Sequence, residues 1–205
     1  MAIRKFSASS LTNPNSKSSK LWDQETTLGT FESIATATAD ASGSATITFS
    51  NIPQNYAHLQ VRGFIRSDKS ADTNADLYLY LNGDTSANSY TRHHIRGNGA
   101  TASSLGWGNG GSAPVAGEAP AASSAANVFG ATIIDILDYT NTNKNTNVRT
   151  LHGDDQNSGS SASNVWFTSS LWLNTNAVTS LTFTLQASTN FVQYSSFALY
   201  GIRGA

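Results

Sequence analysis

The chain has 205 residues, a formal net charge of -1 and a sequence pI of about 6.4, so its surface offers no general attraction for nucleic acid or anionic membranes. It contains no cysteine, which excludes disulfide bonds and thiolate chemistry. Ser, Thr and Asn supply 71 residues and charged residues only 12%, a balance that favours strands and turns over helix surfaces. We therefore expect an all-β protein with almost no helix.

Residues 1–28 form a polar tail, "MAIRKFSASSLTNPNSKSSKLW" and the six residues after it. The tail lacks the apolar region of a signal peptide, and no run of 18 apolar residues occurs in the chain, so we expect synthesis in the cytosol and no membrane span. The tail is either a floppy terminus or an arm that orders on a partner. The predicted partner contacts of the arm are its basic and apolar residues, Arg4, Lys5, Phe6, Leu11, Lys17, Lys20, Leu21 and Trp22.

From Phe31 onward, short runs alternate between apolar and polar residues, which is the pattern of half-buried strands. "HLQVRGFIR" places Leu59, Val61 and Ile65 on one face. "DLYLYLNGD" does the same with Leu77, Leu79 and Leu81, and its Asn82-Gly83 pair predicts a tight hairpin turn. The partner strand of that hairpin is then "SYTRHHIR".

A segment without any periodic pattern follows, "GNGATASSLGWGNGGSAPVAGEAPAASSAAN", residues 97–127. It carries one charged residue, Glu118. We expect a surface loop that joins neighbouring strands at one end of the domain. Its small residues would let it lie flat on an adjacent subunit, with Trp107 as a contact.

The rest of the chain again predicts strands. "NVFGATIIDILDY" is so continuously apolar that we expect a central strand covered on both sides. Further strands are expected in "VRTLHG", "NVWFTSSLWL", "VTSLTFTLQ" and "FVQYSSFALYGI". Eight to ten strands without helical crossovers predict an antiparallel two-sheet sandwich over residues 29–205. The jelly roll is the leading topology, and immunoglobulin-like and other sandwiches remain open.

Candidate chemical groups are few. His93 and His94 point to opposite faces of a strand and cannot chelate one ion. "HGDDQN", residues 152–157, lacks the spacing of a calcium loop, so a solvated loop is favoured over an ion site. Asp135 is expected at the sheet surface, paired with an arginine. No catalytic motif is present, and we predict no enzyme activity, no cofactor and no metal.

The aromatic residues are more informative. If Val165, Phe167, Leu171 and Leu173 face the core, Trp166 and Trp172 point outward, as Tyr78 and Tyr80 do opposite the leucines of their strand. Outward Trp and Tyr side chains serve as protein contacts or as platforms for sugar rings. Alternatively, loops such as 97–127 fold over them and form a second, minor core.

Several segments carry a resemblance to a known group of proteins. "FESIATATA", "ITFSNIPQNYAHLQVRG", "LNGD", "ANVFGATIIDILDYTNTNK" and "YSSFALYGI" resemble virion structural proteins of tailed bacteriophages, including phages of cyanobacteria. The likeness covers roughly residues 29–203 and consists of strand and turn segments. It implies a jelly-roll module, often trimeric, used as a capsid decoration (cement) protein or in tail fibres and baseplates. It implies no catalytic residues.

Two functions follow from this resemblance, both in the virion. In the first, a trimeric knob sits on the capsid, arm 1–28 lies in a groove of the major capsid protein, and the shell is reinforced. In the second, the knob belongs to the tail, and the loop with Trp107 contacts a host surface glycan. The first is favoured because the chain has no repeats or coiled coil for a fibre shaft. Self-association is expected in both, because few charges let identical subunits approach without repulsion.

Overall fold

The computed structural model describes residues 30–70, 72–108, 114–156 and 163–204. These residues contain twelve β-strands, two short 3-10 turns at Ala87–Ser89 and Gln186–Ser188, and no α-helix. The all-β prediction is confirmed. The strands are β1 (Phe31–Thr38), β2 (Thr46–Phe49), β3 (His58–Ile65), β4 (Asn74–Leu81), β5 (Tyr90–Gly97), β6 (Ala102–Trp107), β7 (Val115–Pro120), β8 (Gly130–Leu137), β9 (Thr146–Asp154), β10 (Asn164–Trp172), β11 (Leu181–Leu185) and β12 (Ser196–Ile202).

The strands form two antiparallel sheets of unequal width. The large sheet has the order β1-β12-β3-β8-β9-β10-β5-β6, and the small sheet has the order β2-β11-β4-β7. Strands β1 to β4 alternate between the sheets, as do β7 with β8 and β11 with β12. The set β1-β12-β3-β8 together with the small sheet therefore has the strand order of a jelly roll, which confirms the predicted architecture. Strands β9, β10, β5 and β6 continue the large sheet, and we call these four strands the extension.

Alternating side chains of the two sheets fill the core. Leu59, Val61 and Ile65 of β3 are buried, as predicted. They share one cluster with Leu77, Leu79 and Leu81 of β4, which are buried as well. Across the sandwich, the ring of Phe183 in β11 stacks on Phe197 in β12, with 4.3 Å between centroids. This stacked pair joins the small sheet to the large one at the centre of the core.

The turn at Asn82-Gly83 does not form the predicted hairpin. Both residues have positive φ, 52° and 69°, as a tight turn requires. However, β4 pairs with β11 and β7, whereas β5 pairs with β10 and β6 in the other sheet. The Asn82 side chain binds the chain that precedes β11, because its amide donates to the Ala177 carbonyl at 2.9 Å and its oxygen accepts from the Thr179 amide at 2.7 Å. The turn thus starts a crossing from one sheet to the other.

The segment 97–127 is not only a surface loop, because it contains β6 and β7. β6 is the edge strand of the large sheet and β7 is the edge strand of the small sheet. The chain therefore crosses from one sheet to the other within this segment. Its small residues allow close packing within the molecule. Gly117 has a φ of 130°, and a Cβ there would lie 2.9 Å from the ring of His152.

Strand β8 is central, as predicted, between β3 and β9. The expectation that it is covered on both sides is wrong. Ile134 and Ile136 are fully buried, whereas Ile133 on the opposite face is 38% exposed. The small sheet covers one face of the large sheet only, which leaves the other face of β8 in solvent.

We predict that Phe183→Ala lowers the free energy of unfolding by about 3 to 5 kcal/mol, because it removes a fully buried ring and leaves a cavity between the sheets. The matched control is Phe64→Ala, which removes an exposed ring and should change stability by no more than about 0.5 kcal/mol. Urea unfolding at low protein concentration measures both. Equal losses for the two variants would contradict this placement of the core.

Candidate interaction face

The side chains of β10 alternate in the opposite sense from the prediction. Trp166 and Trp172 are buried, whereas Val165, Phe167 and Leu173 point outward. The prediction that the two tryptophans are outward contacts is therefore wrong. The indoles of Trp166 and Trp172 are larger than any of the side chains that alternate with them, so their burial removes more apolar area from water. The indole of Trp172 also donates a hydrogen bond to the Asp84 carboxylate at 2.9 Å.

As a result, a row of large apolar side chains lies on the outer surface of the large sheet. Ile133, Leu151, Phe167 and Ile95 are direct cross-strand neighbours on β8, β9, β10 and β5. Their exposed fractions lie between 38% and 61%. Single exposed apolar residues are ordinary on a protein surface, but a contiguous row across four strands is not.

A second row beside the first is built mainly from small residues. It consists of Ala131, Gly153, Val165, Gly97 and Ala102, which are again cross-strand neighbours, and Phe64 of β3 lies opposite Ala131. Val165 and Phe64 are each 60% exposed. We call the two rows together the outer apolar face.

Two shallow cavities lie on this face. One, of about 630 Å³, is lined by Ile95, Arg96, Val165, Phe167 and the small residues of β5 and β6. The other, of about 500 Å³, shares Ile95 and Phe167 with the first and extends to His93 and Gly106. The face therefore combines protruding side chains with hollows, and it can receive apolar side chains of a protein partner.

Charged residues of both signs border the outer apolar face. Asp135 of β8 is the cross-strand neighbour of Arg149 in β9. Asp135 lies at the sheet surface as predicted, but its carboxylate accepts a hydrogen bond from the Gln60 amide at 2.8 Å rather than from an arginine. Arg62 lies nearby on β3, with its guanidinium 5.3 Å from the centre of the Phe31 ring.

The inner surface of the extension carries a buried polar cluster, which we define as Arg92, His94, His152, Asp154, Trp166 and Thr168. The ring of His94 lies 5.4 Å from that of Trp107 and 4.4 Å from that of Trp166. The guanidinium of Arg92 lies 4.1 Å from the Trp107 ring. Trp107, predicted as a partner contact, is thus half-buried and packs on residues of its own chain.

The prediction of a solvated loop at "HGDDQN" is wrong for its first residues, because β9 continues through His152 to Asp154 and both side chains are buried. Burial lowers the pKa of His152 to about 4, so its imidazole is neutral at pH 7. His93 and His94 lie on opposite faces, as predicted. Within the described ranges, no group of three or more His, Cys, Asp or Glu side chains is placed to hold a metal ion.

Glu118 of β7 joins the two sheets beside this cluster. Its carboxylate accepts hydrogen bonds from the amides of Asn74 in β4, at 3.1 Å, and Asn164 in β10, at 3.3 Å. Burial, followed by the negative charge of Asp76, raises the pKa of Glu118 to about 7. Near neutral pH this carboxyl is therefore partly protonated in the folded protein.

The predicted arm contacts, Arg4 to Trp22, lie outside the described residues. The comparisons with known proteins gave no match, whether to a family model, a curated protein or a solved structure. The virion resemblance therefore stays a prediction. In the part of the chain that the structure describes, no helix has the length and apolar character needed to cross a membrane.

We predict that Glu118→Gln gains stability relative to the natural protein as the pH rises from about 4.5 to about 7. An acid whose pKa is higher in the folded state than its ordinary 4.5 destabilises the fold once it must ionise. At about 1.4 kcal/mol per pKa unit, the gain is at most about 3 kcal/mol. Urea unfolding of both proteins across this pH range measures it. A stability difference that does not change with pH would contradict the assignment.

Proposed function

We propose that the protein is a structural protein of a bacteriophage virion, a capsid decoration protein that binds the shell and stabilises it. The observation that carries the proposal is the outer apolar face. Large contiguous apolar patches are rare on monomeric proteins and mark sites of protein association. A rigid sandwich that displays such a face is suited to assembly with other protein subunits.

The chemistry of the described residues supports a binding role over catalysis. The buried polar cluster, which holds titratable groups with shifted pKa values, lies on the inner surface of the extension and is closed to solvent. The two cavities on the outer apolar face are lined mainly by apolar and small residues, and His93 and His94 are the titratable residues at the second one. An enzyme needs its acid, base or nucleophile within reach of a substrate in an open site. We therefore propose a protein without enzyme activity.

The arm 1–28 supplies the contact with the shell in this proposal. Its four cations, Arg4, Lys5, Lys17 and Lys20, precede its first acidic residue, and Phe6, Leu11, Leu21 and Trp22 are its apolar anchors. Such a segment can bind along a groove of the major capsid protein and order as it binds. The sandwich would then be held at the shell surface by the arm.

The alternative, a tail adsorption protein that contacts a host glycan, has less support. Sugar rings stack on exposed Trp and Tyr side chains. Trp166 and Trp172 are buried, and Trp107 packs on Arg92. The exposed residues of the outer apolar face are Phe, Ile, Leu and Val, which suit a protein partner better than a sugar.

We predict that purified virions contain this protein in a copy number comparable with that of the major capsid protein, because decoration covers the whole shell. Quantitative gel densitometry or mass spectrometry of purified particles measures the ratio. A far lower copy number would favour the tail assignment, and absence from the particles would contradict a virion role altogether.

We also predict that deletion of residues 1–28 abolishes binding to particles, because the arm supplies the contact with the shell. Cosedimentation with undecorated particles measures binding, and circular dichroism of the deletion variant verifies that the sandwich still folds. A full-length variant with Thr46→Glu, an exposed residue of the small sheet, is the control and should still bind. A folded deletion variant that still decorates particles would show that the arm is not the tether.

A further inference from the structure

We propose that the occupant of the outer apolar face is a second copy of this chain. This inference rests on the proposed function in one respect, because it assigns the face to contacts between subunits and leaves the shell to arm 1–28. The area of the face, its shape and its charge each favour a second copy.

The area of the face is sufficient for a stable interface. Adjacent strands lie about 4.8 Å apart, so the six neighbouring strands β3, β8, β9, β10, β5 and β6 make the face about 24 Å wide. Residues 131 to 135 extend about 13 Å along the strands. These dimensions enclose a flat area of about 310 Å². Six large side chains that are 38% to 61% exposed protrude from it, so its accessible surface is roughly twice as large, on the order of 600 Å² in each copy. Two copies then reach the lower bound of about 1,200 Å² in total for specific interfaces.

The shape of the face is suited to a copy of itself. Phe167, Ile95 and Val165 protrude, and beside them lie the hollows left by small residues of the same strands. At Gly106 the missing Cβ makes room for the His93 ring, which lies where that Cβ would be, so a larger residue there would displace the ring. Each copy therefore offers both the side chains and the cavities that receive them.

The charge of the face also favours a second copy over the other occupants. Its border carries both signs of charge, because Arg62 is the cross-strand neighbour of Ile133 and Asp135 is that of Arg149. In a pair of copies, Asp135 of one copy can face an arginine of the other, so the contact can pair opposite charges. Arm 1–28 of the same chain is a poorer occupant, because its four cations would come close to Arg62 and Arg149.

The first test compares the mass of the full-length protein in solution with that of variants on the face. Light scattering after size exclusion should show an oligomer for the natural protein. Phe167→Glu and Ile95→Glu should each weaken association at least tenfold, because an unpaired charge would be buried in an apolar contact. Thr46→Glu places the same charge on the small sheet and should leave the mass unchanged.

A second measurement locates the contact without disturbing it. Because the chain has no cysteine, Ser104→Cys can carry a single environment-sensitive dye at the cavity, and Thr46→Cys can carry the same dye as a control. The emission of the Ser104 label should shift to shorter wavelength as protein concentration rises. The emission of the Thr46 label should not shift.

The outcomes separate this inference from the proposed function. A natural protein that stays monomeric, or an oligomer that neither glutamate variant weakens, overturns the inference. If the monomer still decorates particles, and Phe167→Glu prevents this, a capsid protein occupies the face and the proposed function stands. If the protein forms oligomers through the face but is absent from virions, the inference holds and the proposed function fails.

Discussion

The structure depends on the unequal width of its two sheets. Four strands of the large sheet face the small sheet and complete a jelly roll, and the extension continues beyond them. Because β7 at the edge of the small sheet contacts β9 and β10, the inward side chains of these two strands are largely buried, whereas β6 at the far edge of the extension is exposed. The described residues leave the outer surface of the extension uncovered, and apolar side chains lie there. The sandwich is thus closed on one side of the large sheet and open to association on the other.

Burial of the inner surface of the extension has an energetic cost that the outer surface does not share. His94, His152 and Arg92 lie in the interior, where burial lowers their pKa values. Buried polar atoms without partners destabilise a fold. The hydrogen bonds that Glu118 accepts from Asn74 and Asn164 tie the sheets together beside this cluster. These hydrogen bonds hold the extension to the small sheet, and because the pKa of Glu118 is raised, the stability of that region depends on pH.

Much of the fold could be predicted from local patterns. The outer apolar face could not, because such patterns do not decide which face of β10 points into the core. Leu77, Leu79 and Leu81 alternate with polar or amphipathic residues, so their burial follows from the sequence. In β10 both faces carry apolar residues, and only the position of the strand in the sandwich decides that Trp166 faces inward and Phe167 outward. The sheet crossing at Asn82-Gly83 could not be predicted, because the same turn serves hairpins and depends here on a contact with Thr179. Likewise, the small residues of β6 and β7 have no period that indicates strands.

The orientation of β10 is the central claim, because it determines which side chains are free for association. Hydroxyl-radical footprinting with mass spectrometry, on dilute and on concentrated protein, tests it most directly. The account predicts that Trp166 is protected at both concentrations, and that Phe167 is oxidised in dilute protein and protected in concentrated protein. Oxidation of Trp166 together with protection of Phe167 in dilute protein would contradict it.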